Sequence, residues 1–335
     1  MKGLVALLSC SLMVALSAQA AAPDQVLVVN TGDDSVSLVD LATLREVKRF
    51  EVGRSPYGVA VTRDGKTVAV GVEGEGKVKF YDVKGFAFKA EVPIGPMHHD
   101  HIVLSPDGSQ ILVANYHSDS VVLIDPVAMK EIGRIEGASA PHVVKYGPSK
   151  KRAFVTCKKI TGIAIIDPAR RTLVKFHPIN VNPRSLTFSP DGTKVYFGSF
   201  WVDGFFQMAA ESGKVERLFA LPVHEGSRPQ EVTYHGVETV GPNIVLAANE
   251  GRSWLDSVDV GTGTLLDRLE DVSRPCCIER IPGEEGQRVR VLLSNIGDGT
   301  LQLVEVSPEG RLRSMGKAEV GKAPKRVAFL PSSVP

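Results

Sequence analysis

Three histidines fall within four residues at His98, His99 and His101, with Asp100 between them. Side chains alternate along an extended segment, so His99 and His101 share one side and Asp100 takes the other. Two imidazoles joined by a third from His117 or His142 make a three-nitrogen set for zinc or copper, with a position left open for water or a ligand. A second group is cationic: Arg184, Arg228, Arg274 and Lys325 each adjoin a proline, Arg326 follows directly, and Lys158 and Lys159 add charge. Guanidinium groups grip carboxylate or phosphate through paired hydrogen bonds, so this group suits an anionic ligand. Trp201 and Trp254 supply flat faces for stacking.

Other chemistries are missing. No Cys-x-x-Cys-His occurs, which excludes covalent c-type haem attachment, and phosphate-loop, dinucleotide and nucleophile-elbow motifs are absent. A net charge of +1 gives no overall pull toward nucleic acid or acidic membranes. Met1-Lys2, the apolar run from Leu4 to Leu16 and the small residues Ala18 and Ala20 read as a secretory leader over 1–20, which places the remaining chain in the periplasm or outside the cell. No later stretch is apolar for long enough to cross a bilayer. Cys157, Cys276 and Cys277 follow the leader, and an odd number of thiols leaves at least one outside any intramolecular disulfide.

The elements that must position these groups come from a repeat. Prolines at Pro56, Pro141, Pro183, Pro229, Pro275 and Pro324 each open an apolar run, and the His99 region fills the gap between Pro56 and Pro141. The turns Asp64-Gly65 and Asp107-Gly108 lie 43 residues apart, so the chain divides into seven copies. Each copy holds strand A, an Asp-Gly-type turn, a β-branched strand B, a strand C ending in an acidic residue such as Asp40, Asp82 or Asp125, and a strand D. Four antiparallel strands in each of seven copies predict an all-β seven-bladed β-propeller over 21–335 as a single domain. The first copy lacks its own strand A, whereas Lys325–Leu330 is a strand A with nothing after it. Pairing of the N- and C-terminal strands is therefore expected to close the ring.

The segment from Ile111 to Asp125, Ile-Leu-Val-Ala-Asn-Tyr-His-Ser-Asp-Ser-Val-Val-Leu-Ile-Asp, resembles the YVTN-type propeller repeat, a relative of the haem-binding propeller of cytochrome-type nitrite reductases. The signature tetrapeptide itself does not occur. The resemblance implies the same fold and, by likeness to the nitrite-reductase propeller, a haem-type tetrapyrrole or a metal as a candidate ligand. Some YVTN-type members are similar to binders of single-stranded DNA, and amine dehydrogenase propellers imply a third possibility, a subunit of an oxidoreductase.

Strand direction sorts the candidate groups. With strand A descending from an upper face, every D–A connection and every B–C loop lies above. His99, His101, His117 and His142 then fall on one sector of the upper mouth, opposite Arg184, Arg228, Arg274 and Lys325, with Trp201 and Trp254 on its rim. His235 is placed at the far end of a strand A, away from this mouth. Adjacent side chains alternate in a strand, so one thiol of Cys276-Cys277 is expected to face the channel and the other the sheet interior. The expected role is a monomeric periplasmic ligand-binding propeller, holding a small anionic ligand, a tetrapyrrole or a metal, as a carrier or accessory rather than a catalyst. A scaffold for a periplasmic protein or for single-stranded DNA, combining cations with tryptophan stacking, is the other class of reading.

Overall fold

The computed structural model describes residues 24–97, 101–225, 234–283 and 289–331. The leader expected over 1–20 lies outside the described residues, as do His99 and Arg228. Among the described residues no helix is long and apolar enough to cross a membrane.

Seven four-stranded antiparallel sheets form the molecule. Blade 1 shows the plan: Pro324–Phe329 pairs with Gln25–Asn30, which pairs with Ser35–Asp40, which pairs with Arg45–Glu51. The inner strands of blades 2 to 7 are Pro56–Val61, Ile102–Leu104, Pro141–Tyr146, Pro183–Phe188, Tyr234–Thr239 and Pro275–Arg280. Each inner strand packs against the inner strands of its two neighbours, so together they line a central channel. Ring closure follows the expected route, with Val26 opposite Phe329, Leu27 opposite Ala328 and Val28 opposite Val327.

The core lies between blades. Aliphatic side chains from the second and third strands of one sheet meet those of the next; Val113 and Val122, for instance, pack with Val78, Phe80 and Ile102. Outer strands carry mostly exposed residues, as in Arg45–Glu51, because one face and one edge meet water.

The lower turns are held by their aspartates. Asp64 accepts from Thr62 Oγ1 at 2.6 Å and from the Lys66 amide at 3.1 Å, and Asp107 repeats this with Ser105 Oγ at 2.6 Å and the Ser109 amide at 3.0 Å. Gly65 and Gly108 sit at φ of 69° and 77°, a left-handed conformation that glycine adopts without steric cost. Hydrogen bonds from the Ser105 hydroxyl and the Ser109 amide and hydroxyl pull the Asp107 carboxyl down to about 2, and hydroxyl and amide donors likewise lower Asp40, Asp64 and Asp191. A carboxylate depressed in the folded state contributes stability above its unfolded pKa of about 3.9 and loses it as pH falls. The melting temperature is therefore expected to drop as pH falls from about 4 through about 2. Replacing these four aspartates with asparagine should flatten that drop in a thermal scan, and an unchanged acid slope would refute this origin.

Candidate functional site

Every inner strand that starts with proline, and the one that starts at Tyr234, breaks register immediately after its first residue. The shifts lie between Pro56 and Val59, Pro141 and Val143, Pro183 and Leu186, Tyr234 and Gly236, and Pro275 and Cys277, and opposite Pro324 between Val28 and Asn30. Such a bulge frees a residue from the pleat and re-aims its side chain. The residues so released are Tyr57, His142, Arg184, His235, Cys276 and Lys325, one from each of six blades.

They converge on the channel. The rings of His142 and His235 meet edge to face with centroids 6.1 Å apart. His235 Nδ1 lies 2.9 Å from Cys276 Sγ and 2.8 Å from the Cys276 carbonyl, and Cys276 Sγ lies 3.4 Å from Cys277 Sγ. Lys325 Nζ stands 3.7 Å from Cys276 Sγ and 5.9 Å above the centre of the Tyr57 ring. Arg184 and Lys158 share one aromatic ring: their charged groups lie 4.3 Å and 5.8 Å from the centre of Phe200. His142, His235, Cys276, Cys277, Tyr57 and Arg184 are all buried. Close approach of blades 6 and 7 depends on Gly236, where a Cβ would meet the Cys276 carbonyl at 2.7 Å.

Electrostatics follow from this crowding. Burial, helped by Arg184 and Lys325, pushes the Lys158 ammonium down to about 6. Burial opposes ionisation of Cys276, yet the hydrogen bond with Cys277 and the charges of His235 and Lys325 prevail and hold its thiol well below the ordinary range. The same hydrogen bond, followed by burial, drives Cys277 well upward. Burial keeps His142 neutral, reinforced by Lys158 and Arg184.

A second layer lies lower in the channel. His101 Nδ1 donates to the Val144 carbonyl at 2.7 Å, Lys145 pairs with Glu238 at 2.6 Å, and Arg326 approaches Glu279 at 3.7 Å. These groups line a cavity of about 490 Å³. Here the cations have carboxylate partners, whereas among the described residues no ion pair is made by Lys158 or Arg184.

Several expectations change. The His101 backbone amide donates to the His142 carbonyl at 3.3 Å, but the His101 ring turns into the lower layer while the His142 ring meets His235. His117 is exposed and meets Tyr116 edge-on. His101, His117 and His142 are thus not gathered at one point; among the described residues the trio that is gathered is His235, Cys276 and Cys277, with ligand atoms all within 4.8 Å of one another. His235 itself belongs at the upper start of its strand, not its far end. Tyr234 takes the place of the repeat proline, five residues beyond Pro229, and pairs with Asn249 just as Pro141 pairs with Cys157. Register counted back from the end of strand B would have found it. The two thiols do not point apart, because the bulge after Pro275 cancels the alternation of a regular strand.

The other rim candidates separate. Trp201 is 67% exposed, whereas Trp254 is buried, donates Nε1 to Tyr234 Oη at 3.1 Å and is covered by the Arg268 guanidinium 3.7 Å from its centre. It offers no open stacking face. Arg274 is an exposed rim residue paired with Glu250 at 2.9 Å. Of the expected cations among the described residues, Arg184 is buried and the partly buried Lys325 reaches the same layer.

No family model matches this chain. A segment of 98 residues is 29% identical to the seven-bladed beta-propeller protein Rv1057 of Mycobacterium tuberculosis, spanning 28% of this chain and 25% of that protein. The chain thus matches about a quarter of the length of that relative. Among solved structures, the hydrazine synthase of Kuenenia stuttgartiensis superimposes with a TM-score of 0.74 at 17% identity, over 89% of this chain and 99% of that one. The periplasmic gluconolactonase PpgL of Pseudomonas aeruginosa gives 0.69 at 20% identity over 93% and 99%. Dihydro-heme d1 dehydrogenase NirN, in complex with DHE, gives 0.61 at 17% over 93% and 76%. At such identities these likenesses establish the propeller fold alone.

Proposed function

We propose that this chain is an exported propeller that binds a small anionic ligand in the upper layer of its channel. One observation carries the reading: Lys158 and Arg184 converge on Phe200 without an ion-pair partner among the described residues, next to Lys325. Cations drawn from water without counter-charge, Arg184 buried and Lys158 partly so, cost stability, and a ligand carboxylate or phosphate supplies the missing charge through charge-assisted hydrogen bonds. A tetrapyrrole fits in part. Its carboxylates would find these cations, but His142 and His235 meet edge to face and leave no slot for a macrocycle between them. Such a ligand would lie above the layer. Export is supported by the leader-like sequence at 1–20 and accords with the periplasmic name of one structural relative.

The sign of the lysine shift makes the test specific. A lysine whose folded pKa is about 6 subtracts stability in full below that pH, and the penalty fades as pH rises toward the ordinary value of about 10.4. An anion that restores the charge must therefore draw about one proton from solvent at pH 7–8 and bind more tightly as pH falls toward 6. Calorimetry with inorganic phosphate, malonate and protoporphyrin IX in buffers of different ionisation enthalpy reads this uptake. Lys158→Met should abolish the uptake, raise the melting temperature of the free protein and weaken binding at least about tenfold; Arg184→Ala should weaken it similarly. If none of the three probes binds, or binding ignores both substitutions, the reading fails.

A further inference from the structure

We propose that His235, Cys276 and Cys277 form a binding site for monovalent copper at the channel wall between blades 6 and 7. Its ligand atoms are not those of the anion-binding cations, although Lys325 adjoins both, and the site does not depend on that reading. Two sulfurs and one ring nitrogen lie within 4.8 Å of one another, with the sulfurs 3.4 Å apart and His235 Nδ1 2.9 Å from Cys276 Sγ. A metal bonded to sulfur at about 2.3 Å and to nitrogen at about 2.0–2.1 Å holds its ligands at separations of this order.

Three features set this trio apart from a chance cluster. Consecutive cysteines in a regular strand point to opposite faces, and the bulge after Pro275 is what puts both thiols on one side. His235 is 1% exposed, and its ring is held in this dry wall with Nδ1 facing Cys276 Sγ. Lys325 Nζ lies 3.7 Å from Cys276 Sγ, a cation placed to balance the net negative charge of a cuprous bis-thiolate.

Ligand type and number select the metal. Thiolates favour soft ions, and no fourth histidine, cysteine or carboxylate joins the trio among the described residues. Zinc completes four-coordination, whereas Cu(I) accepts two or three ligands in a dry site. Binding is a ligand exchange without electron transfer: each thiol releases its proton to solvent as its sulfur bonds Cu(I), and the imidazole donates a lone pair.

The test uses the full chain, reduced and metal-free, titrated anaerobically with Cu(I) against the chromogenic chelator bicinchoninate. The expected result is one copper equivalent withdrawn from the chelator, with an X-ray absorption shell of two sulfurs and one nitrogen. The Cys276→Ser/Cys277→Ser double variant should lose that equivalent, and His235→Gln should lose the nitrogen. The absorption shell of the unaltered protein needs no variant, so misfolding of a variant leaves the test intact. No copper retained against bicinchoninate, a shell without sulfur, retention by the double cysteine variant, or zinc bound in preference to Cu(I) would each overturn the assignment.

Discussion

Ending the chain after Ala323 is expected to abolish the single cooperative thermal transition. The missing segment is the inner strand of blade 1, and its loss strips Val26, Leu27 and Val28 of the partners Phe329, Ala328 and Val327. Val26 and Val28 are fully buried in the intact ring, and Leu330 seals the neighbouring cluster with Leu27 and Val59. A fully buried aliphatic side chain such as Leu330 contributes about 1.5–3 kcal/mol and the partly buried Val327 and Phe329 add less each, so losing them with their strand pairing removes a large share of a total stability of about 5–15 kcal/mol. The exposed backbone edge also becomes a template for aggregation. Differential scanning calorimetry with a hydrophobic dye reports both effects. A sharp transition within a few degrees of the parent would show that this strand does not close the ring.

The second large effect is expected at Asp256. Its carboxylate is fully buried, receives Arg268 Nε at 2.6 Å and Nη2 at 3.0 Å, and accepts a hydrogen bond from Tyr234 Oη. Burial raises its pKa, while Arg268 and Tyr234 pull the other way. Asp256→Ala leaves the guanidinium and the phenol without their acceptor, and breaking a buried pair from one side costs about 3–5 kcal/mol. The consequence reaches the channel, because Tyr234 starts the strand that carries His235. In this blade a tyrosine anchored through Asp256 and Trp254 stands where five other inner strands begin with proline. Urea denaturation should show the loss, with Asp256→Asn falling between parent and alanine variant. A shift below about 1 kcal/mol for Asp256→Ala would mean that Arg268 finds adequate hydration, since single surface changes stay within that range.

The candidate site was less legible than the blades. Arg184 and Lys325 were recognisable because they adjoin repeat prolines, and Lys158 because it follows a strand B. His235 was hidden by Pro229, which anchored the alignment five residues too early. Trp254 was expected on the rim because it was assigned to a B–C loop; it instead opens a strand, and its indole serves the Tyr234–Asp256–Arg268 network. No local pattern announces such a network, since its members come from three strands of one blade.

By itself the sequence determined the number of blades, the order of strands, the Asp-Gly turns and the closure of the ring by its two ends. Those features are local: alternation, turn residues and a 43-residue spacing recur wherever the same backbone does. Only the tertiary structure decided what stands in the channel. Seven inner strands contribute residues far apart in the chain, and in six of them a one-residue bulge chooses which side chain is presented. Alternation therefore separated Cys276 from Cys277 on paper, and the bulge brought them together beside His235. The opening histidine cluster met the opposite fate: His101 turned down toward Val144, and the imidazole that His142 meets came from a blade two places further round the ring.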